Sequence, residues 1–346
     1  MTDTLLDVED LKVTFPVRGR ELRAVDGVSY SVRAGQTLAI VGESGSGKTV
    51  SCRAVMGLLP PSAVVTGSAR FQGAQLVGLT DDQMREYRGA DIAMVFQDPT
   101  RSLNPTMRIG SQITEAVRAH RRVSGRQARE QAVALLRLVH MPLPERRFLE
   151  YPHQLSGGMR QRVMIAIALA CRPKLLIADE ATTALDVTTQ AQIMELLLEL
   201  QAELGMALML ISHDLGLAAS YADEVLVMYA GRIVEQAPAA RLFSRVRMPY
   251  TEALFEAIPR LERPAHLPLP VIGGRPPDLA ALPPGCPFAP RCRHAADDCL
   301  AQAPPLAEQE PGHRWACWHP VQGGSGGMGP PRSGGLREVV PPGGGA

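Results

Sequence analysis

No apolar run in the 346 residues approaches the length of ~18 that a membrane-crossing helix requires. The longest candidate, Val163 to Cys171, is about half that and stops at Arg172 and Pro173. The opening segment MTDTLLDVED is acidic and lacks a basic stretch leading into an apolar one, so no secretory signal is expected. Charge of one sign is also missing: 36 basic residues face 35 acidic ones, for a net charge of +1. That balance gives no reason to expect a nucleic-acid or anionic-lipid surface. The chain is expected in the cytoplasm, with any membrane role exercised through a partner, and disulfides are disfavoured there. No internal repeat is present.

What the chain does have is apolar content, 45% of residues, enough for a sizeable core. Up to about residue 245, strand-like and helix-like runs alternate, the mark of an α/β domain with parallel pairing and right-handed crossovers. Strands are predicted over Gln36–Val41, Lys174–Ala178 and Ala207–Ile211, each followed by a helix, over Lys48–Met56, Thr189–Glu203 and Leu215–Tyr221. Strand signals fade between Gln97 and His153, where Ile109–His120 and Gln127–His140 carry helical periodicity. A helical insert is therefore expected over about 98–160. Arg118, Arg121, Arg122, Arg126 and Arg129 cluster there and read as a solvated face. Residues 246–321 are Pro-rich and hold four of the six cysteines, which suggests a small C-terminal module. Residues 322–346, rich in Gly, Ser and Pro, read as a disordered tail.

Gly42-Glu-Ser-Gly-Ser-Gly-Lys48-Thr49 fits G-x-x-x-x-G-K-[ST] directly after a predicted strand and before a predicted helix. Glycines let the backbone turn several N–H groups inward on phosphate oxygens, and the helix presents its positive end to the same anion. Gly42, Ser44, Gly45, Ser46, Gly47, Lys48, Thr49 and Val50 are the candidate phosphate contacts, with Lys48 on the β- and γ-phosphates and Thr49 on Mg²⁺. The run Lys174-Leu-Leu-Ile-Ala-Asp179-Glu180 ends an apolar strand in two carboxylates, where open α/β sheets place ligands. Asp179 suits the Mg²⁺ shell, and Glu180 suits a general base that polarises the attacking water. Together the two motifs describe a P-loop NTPase.

Leu155-Ser-Gly-Gly-Met159-Arg-Gln-Arg162 opens a helical run that Ser156 can cap, leaving backbone N–H groups at Gly157 and Gly158 open to an anion. A nucleotide has one γ-phosphate, so two phosphate-binding turns in one chain make sense if two chains each complete the other's site. At this point the sequence resembles the ABC ATPase family over most of residues 5–245. Gln97 in Val95-Phe-Gln-Asp-Pro99 looks like its Q-loop, Thr183-Ala-Leu-Asp186 like its D-loop, His213 in Ile211-Ser-His-Asp214 like its switch histidine, and Phe15 like the aromatic that stacks on adenine. The resemblance implies that Gln97 senses metal and water, Ser156 and Gly158 reach the other chain's γ-phosphate, Asp186 contacts the opposite subunit, and His213 orients Glu180. One departure is Ala181, where the family has proline after the Walker B glutamate; losing a fixed φ there should loosen the turn slightly.

Phe96-Gln-Asp-Pro-Thr-Arg-Ser-Leu-Asn-Pro105, Ala181–Gln192, Met248-Pro-Tyr-Thr-Glu-Ala-Leu254 and Gly285-Cys-Pro-Phe-Ala-Pro-Arg-Cys292 look like the oligopeptide/dipeptide importer branch. That likeness implies a P-loop NTPase core with an antiparallel edge sheet, a helical subdomain and a Cys-rich C-terminal module. The expected activity is ATP hydrolysis coupled to peptide import, with nickel or another cargo as the alternative. Expected partners are a second, distinct ATPase subunit, two transmembrane permease subunits and an extracytoplasmic binding protein, with this chain peripheral on the cytoplasmic face of the inner membrane.

Cys286, Cys292, Cys299 and Cys317 could hold Zn²⁺, a [4Fe–4S] cluster, or nothing; the branch resemblance points to the cluster, and His294, His313 or His319 could replace a thiolate around Zn²⁺. Cys52 and Cys171 read as core thiols. A non-transport ABC ATPase acting on DNA or the ribosome is the rival, yet no long coiled-coil insertion, zinc hairpin or second cassette is visible. A small-molecule P-loop kinase would leave LSGGM and His213 unexplained.

Overall fold

The structure, a computed structural model, describes residues 4–17, 19–183, 185–258 and 271–322. The predicted tail therefore lies almost wholly outside the described residues. At the N-terminus, β1 (Thr4–Val17) and β2 (Arg20–Arg33) bury apolar side chains such as Leu6, Val8, Val13, Val25 and Val28, and pair antiparallel with Val8 opposite Tyr30 and Val13 opposite Val25. The next strand, β3 (Thr37–Val41), is buried on both faces, as an apolar run in a central parallel strand must be. Helix α1 (Lys48–Val55) comes next, then β4 (Val64–Phe71) and β5 (Ala74–Gln75), which complete a four-stranded antiparallel sheet in the order β2-β1-β4-β5.

After β6 (Ile92–Val95) no strand forms until β7 (Leu175–Asp179). The intervening chain is helical, with α2 (Ile109–His120), α3 (Gly125–Leu138) and α4 (Gly157–Ala168) packed on one another. Helix α3 starts two residues before its predicted Gln127 because Ser124 and Gln127 form a capping box. It ends before the predicted His140, which takes a left-handed φ of 52°. The arginine cluster is solvent-facing: Arg126 pairs with Glu130, Arg129 lies over the Phe148 ring, and Arg121 donates to the Cys171 carbonyl.

The chain then runs through α5 (Val187–Leu204), β8 (Ala207–Ser212), α6 (Leu215–Tyr221), β9 (Glu224–Tyr229), β10 (Arg232–Pro238), α7 (Pro249–Glu256), β11 (Ala307–Glu310) and β12 (His313–Trp315). The eight-stranded sheet has the order β11-β12-β10-β9-β3-β8-β7-β6, parallel from β9 to β6 and antiparallel beyond. The cysteine-bearing segment packs Met248, Tyr250, Cys286, Phe288, Ala289 and Cys299 into the main core cluster, and β12 extends the core sheet through β10. These buried residues thus belong to the core of the larger body. Cys52 is fully buried against the Met209 sulfur, as expected of a core thiol. Cys171 is only half-buried, because α4 ends at Ala168 and leaves it in a turn beneath Arg121. Among the described residues no helix is long and apolar enough to cross a membrane.

Candidate nucleotide site

Parallel register assembles the site. Val41 pairs with Ser212, Ile211 with Asp179, and Ala178 with Val95. The residues just beyond these strand ends, Gly42, His213, Glu180 and Gln97, therefore emerge side by side at the carboxyl edge of the sheet, where such folds bind ligands.

The loop after β3 can be built only with glycine at two positions. Gly42 has φ 149°, and a Cβ there would lie 2.2 Å from the Met228 carbonyl oxygen; Gly47 has φ 102°, and its Cβ would lie 2.5 Å from the Ala24 carbonyl oxygen. Ser44 and Gly45 form the exposed tip and Val50 is half-buried on α1. Ser46 is buried with no partner for its hydroxyl, an unsatisfied group inside the cradle that an anionic oxygen would satisfy. Lys48, also buried, donates from Nζ to the carbonyl oxygens of Gly42 (2.8 Å) and Glu43 (2.9 Å). Burial lowers its pKa, an effect opposed by the carboxylates of Glu180, Asp179 and Glu43.

Thr49 donates from Oγ1 to Asp179 Oδ1 at 2.7 Å. Asp179 is buried, which raises its pKa, while the Thr49 hydrogen bond and Arg53, 3.7 Å away, act in the opposite direction. A buried carboxylate and a hydroxyl already in contact are a donor set that fits a divalent cation. Beside them Glu180 takes a left-handed φ of 48°, and its Oε2 accepts from the Gln97 amide at 2.8 Å and lies 3.6 Å from His213 Nδ1. Thr183 Oγ1 is 3.5 Å from the same oxygen. A proline at position 181 would restrict the residue before it; Ala181 imposes no such limit on Glu180. Ala181 itself is buried in the main core. The structure thus unites Lys48, Thr49, Asp179, Glu180, Gln97 and His213. Sequence reasoning misses Arg53, which belongs to no pattern with a chemical signal of its own, and gives Thr183 only as the first residue of the D-loop-like run, not as a neighbour of Glu180.

The second turn stands apart. Ser156 is exposed and its Oγ accepts from the Met159 N–H at 3.3 Å, capping α4; Gly157 is exposed too. A Cβ on Gly158 would lie 2.7 Å from Thr189 Cγ2, so this turn packs against the start of α5. Asp186 caps that helix, accepting from Thr189 N (3.0 Å) and Oγ1 (2.7 Å), contacts that hold its carboxyl below the usual range. Ala184 of the same loop is outside the described residues. Phe15 sits opposite Leu22 and packs half-buried against the core cluster that includes residues of α1.

The four C-terminal cysteines form no disulfide. Burial raises the thiol pKa of Cys286, Cys292 and Cys317, the last to about 12, and each of these thiols is raised further by other cysteines of the set. Backbone N–H groups act the other way: those of Phe288 and Ala289 at Cys286, that of His319 at Cys317, and that of His294, 3.4 Å from Cys292 Sγ. Clustered thiols supplied with N–H donors are a donor set that fits a thiolate-bound metal centre. Tetrahedral zinc would bring thiolates to about 3.8 Å from one another, from its bond length of about 2.3 Å. Among the described residues the one group of three or more donors within 4.8 Å is Asp298, Cys299 and His319, so no three of the four sulfurs lie that close together. Of the three histidines, His294 faces Glu252 and His313 is buried against Glu235, leaving His319 beside a cysteine.

Comparison with known proteins agrees with this geometry. The family model described as ABC transporter matches residues 25–183, and the one described as oligopeptide/dipeptide transporter, C-terminal region, matches 234–299. The chain is 50% identical to the oligopeptide transport ATP-binding protein OppD of Escherichia coli over 92% of this chain and 94% of that one. It is 47% identical to the dipeptide transport ATP-binding protein DppD of Bacillus subtilis over 91% and 95%. A solved dimeric ATP-binding cassette in a post-hydrolysis state with ADP and phosphate is 28% identical, with a TM-score of 0.61 over 68% of this chain and 98% of that one.

Proposed function

The chain belongs to the ABC transporter ATP-binding family, in its oligopeptide/dipeptide branch, and on that premise we propose that it is the ATP-hydrolysing subunit that powers peptide import. The observation that carries this reading is the alignment of Lys48, Asp179, Glu180, His213 and Gln97 along one sheet edge.

Lys48 exchanges its two carbonyl acceptors for the β- and γ-phosphates, and loop N–H groups with the Ser46 hydroxyl take further phosphate oxygens. Thr49 and Asp179 would hold Mg²⁺, which would supply neutralisation of phosphate charge. Glu180 accepts a proton from the attacking water, held in place by the Gln97 amide and by His213. The exposed turn at Ser156, Gly157 and Gly158 meets the γ-phosphate held by a second subunit, with Asp186 and Phe15 at the dimer contact and the adenine. We read residues 1–245 as the motor and 246–321 as a C-terminal module. Cys286, Cys292, Cys299 and Cys317 would hold a [4Fe–4S] cluster, with Zn²⁺ as the alternative. The partners are a distinct second ATPase, two permease subunits and an extracytoplasmic binding protein, at the cytoplasmic face of the inner membrane.

The test is purification through a tag on this chain, followed by reconstitution in liposomes. Integral membrane subunits co-purify and peptide uptake depends on MgATP. Co-purification with nucleic acid or ribosomes instead would overturn the transport reading, and uptake of nickel without peptide would change the cargo.

A further inference from the structure

Glu43, the second residue of the phosphate-binding loop, is tied down on every polar group it has. Its backbone N–H donates to Tyr250 Oη at 2.8 Å. Its carbonyl accepts from Lys48 Nζ at 2.9 Å and from the Ser46 N–H at 3.2 Å. Its carboxylate receives a two-point fork from Arg291, with Nη1 to Oε2 at 2.7 Å and Nη2 to Oε1 at 2.8 Å. Two of these ties, Tyr250 and Arg291, come from the segment beyond residue 245. When Lys48 turns to a phosphate, those two and Ser46 are what remain.

Arg291 is built into its place. Its side chain is only 4% exposed, and its other N–H groups go to neutral acceptors, the Gly273 carbonyl at 2.9 Å and the Tyr229 hydroxyl at 3.3 Å. It closes the short turn Ala289–Arg291, directly before Cys292. The neighbouring Phe288 is buried edge-on against Tyr229 and Tyr250, with ring centres 5.3 Å away in each case. One turn thus joins two cysteines to the phosphate loop, and Pro276, Pro277 and Leu279 face Glu43–Ser46 across a cavity of about 200 Å³.

The charge logic gives this contact a function. A carboxylate in a loop that must accept a polyanion opposes binding by like-charge repulsion unless a cation neutralises it. A fork fixes geometry as well as charge, which an ammonium group does not. We propose that Arg291 neutralises the Glu43 carboxylate within the phosphate-binding loop, so that the cysteine-bearing segment, by holding Arg291 in place, sets the loop's affinity for nucleotide. The proposal rests on the ATP-binding reading above. By linkage, nucleotide binding and ordering of the cysteine segment then favour each other to the same degree.

The full-length protein carrying Arg291→Met is titrated with Mg²⁺ and a non-hydrolysable ATP analogue, and steady-state hydrolysis yields KM and kcat separately. Kd and KM rise about tenfold. At saturation kcat stays within about threefold of wild type, as expected when ground-state binding is what is lost. Adding Glu43→Gln to the same chain removes the unpaired charge and restores Kd to within about threefold of wild type. Arg291→Lys falls between the two. An unchanged Kd in Arg291→Met, or a raised Kd that Glu43→Gln fails to restore, overturns the proposal. Should Arg291→Met not fold, Glu43→Gln alone decides by hydrogen exchange: the backbone at 286–294 exchanges faster once the fork is lost, and an unchanged rate overturns the clamp. Failure of the wild-type protein to bind the analogue would instead remove the ATP-binding reading, so the two failures are told apart.

Discussion

Glu180 and Gln97 are 83 positions apart, yet the Gln97 amide donates to Glu180 Oε2 at 2.8 Å, and it does so because β6 and β7 are parallel neighbours. The carboxylate is thereby aimed by a side chain from the loop that enters the helical insert. Glu180→Gln keeps the size and can still meet an amide, but it cannot take a proton. Hydrolysis should fall at least ~100-fold, the low end of what general-base catalysis contributes. Nucleotide affinity should persist, and the protein should accumulate as an ATP-bound dimer on size exclusion. A turnover rate equal to wild type would rule out Glu180 as the base.

Gly42 of the cradle and Gly158 of the second turn should respond differently to alanine. Gly42→Ala places a methyl against a backbone carbonyl at positive φ, and neither can move without distorting β9 or β3. A loss of more than ~2 kcal/mol in urea unfolding is expected, with loss of nucleotide binding. Gly158→Ala meets a side-chain methyl of Thr189 at an ordinary backbone φ, so it should cost less than Gly42→Ala, the loss coming from the Thr189–Asp186 contact that must shift. Equal losses at both sites would contradict the backbone argument.

Cys52 supplies a pH signature. Burial pushes its thiol from an ordinary 9.0 up to about 12, so the folded state holds the proton more tightly than the unfolded one. That stabilisation is complete below pH 9 and is lost as pH rises toward 12. At pH 10 the loss amounts to about 1 kcal/mol relative to pH 7. Denaturant unfolding at the two pH values should show a smaller difference in Cys52→Ala than in wild type. An identical pH dependence in the variant would mean that other groups carry the effect.

Iron and acid-labile sulfide, assayed in protein purified without oxygen, test the cysteine centre. A brown preparation that loses its colour on Cys286→Ser or Cys317→Ser is expected. Colourless protein with stoichiometric zinc would move the assignment to Zn²⁺, and metal-free protein would leave reduced thiols.

Much of the site is legible in the sequence because its chemistry is local. The glycine loop before Lys48, the carboxylate pair at the end of β7 and the capped turn at Ser156 each occupy a few consecutive residues, and period and spacing locate their strands and helices to within about two residues. Other features are not local. Family likeness gives Asp186 a contact with another subunit, while within the chain it caps α5, a role that shows only once the helix start is seen. The apolar run reaches Cys171 and so suggests a core thiol, but the helix stops three residues earlier.

The amino-acid sequence by itself determined the reaction type, because phosphate binding and hydrolysis depend on short runs whose backbone and side chains act together. Only the tertiary structure decided what surrounds those runs. Nothing in a one-dimensional reading joins Arg291 to Glu43 across 248 positions or Tyr250 to the Glu43 N–H. Such contacts arise when strand order and core packing bring distant segments together, and no periodicity or spacing rule encodes them.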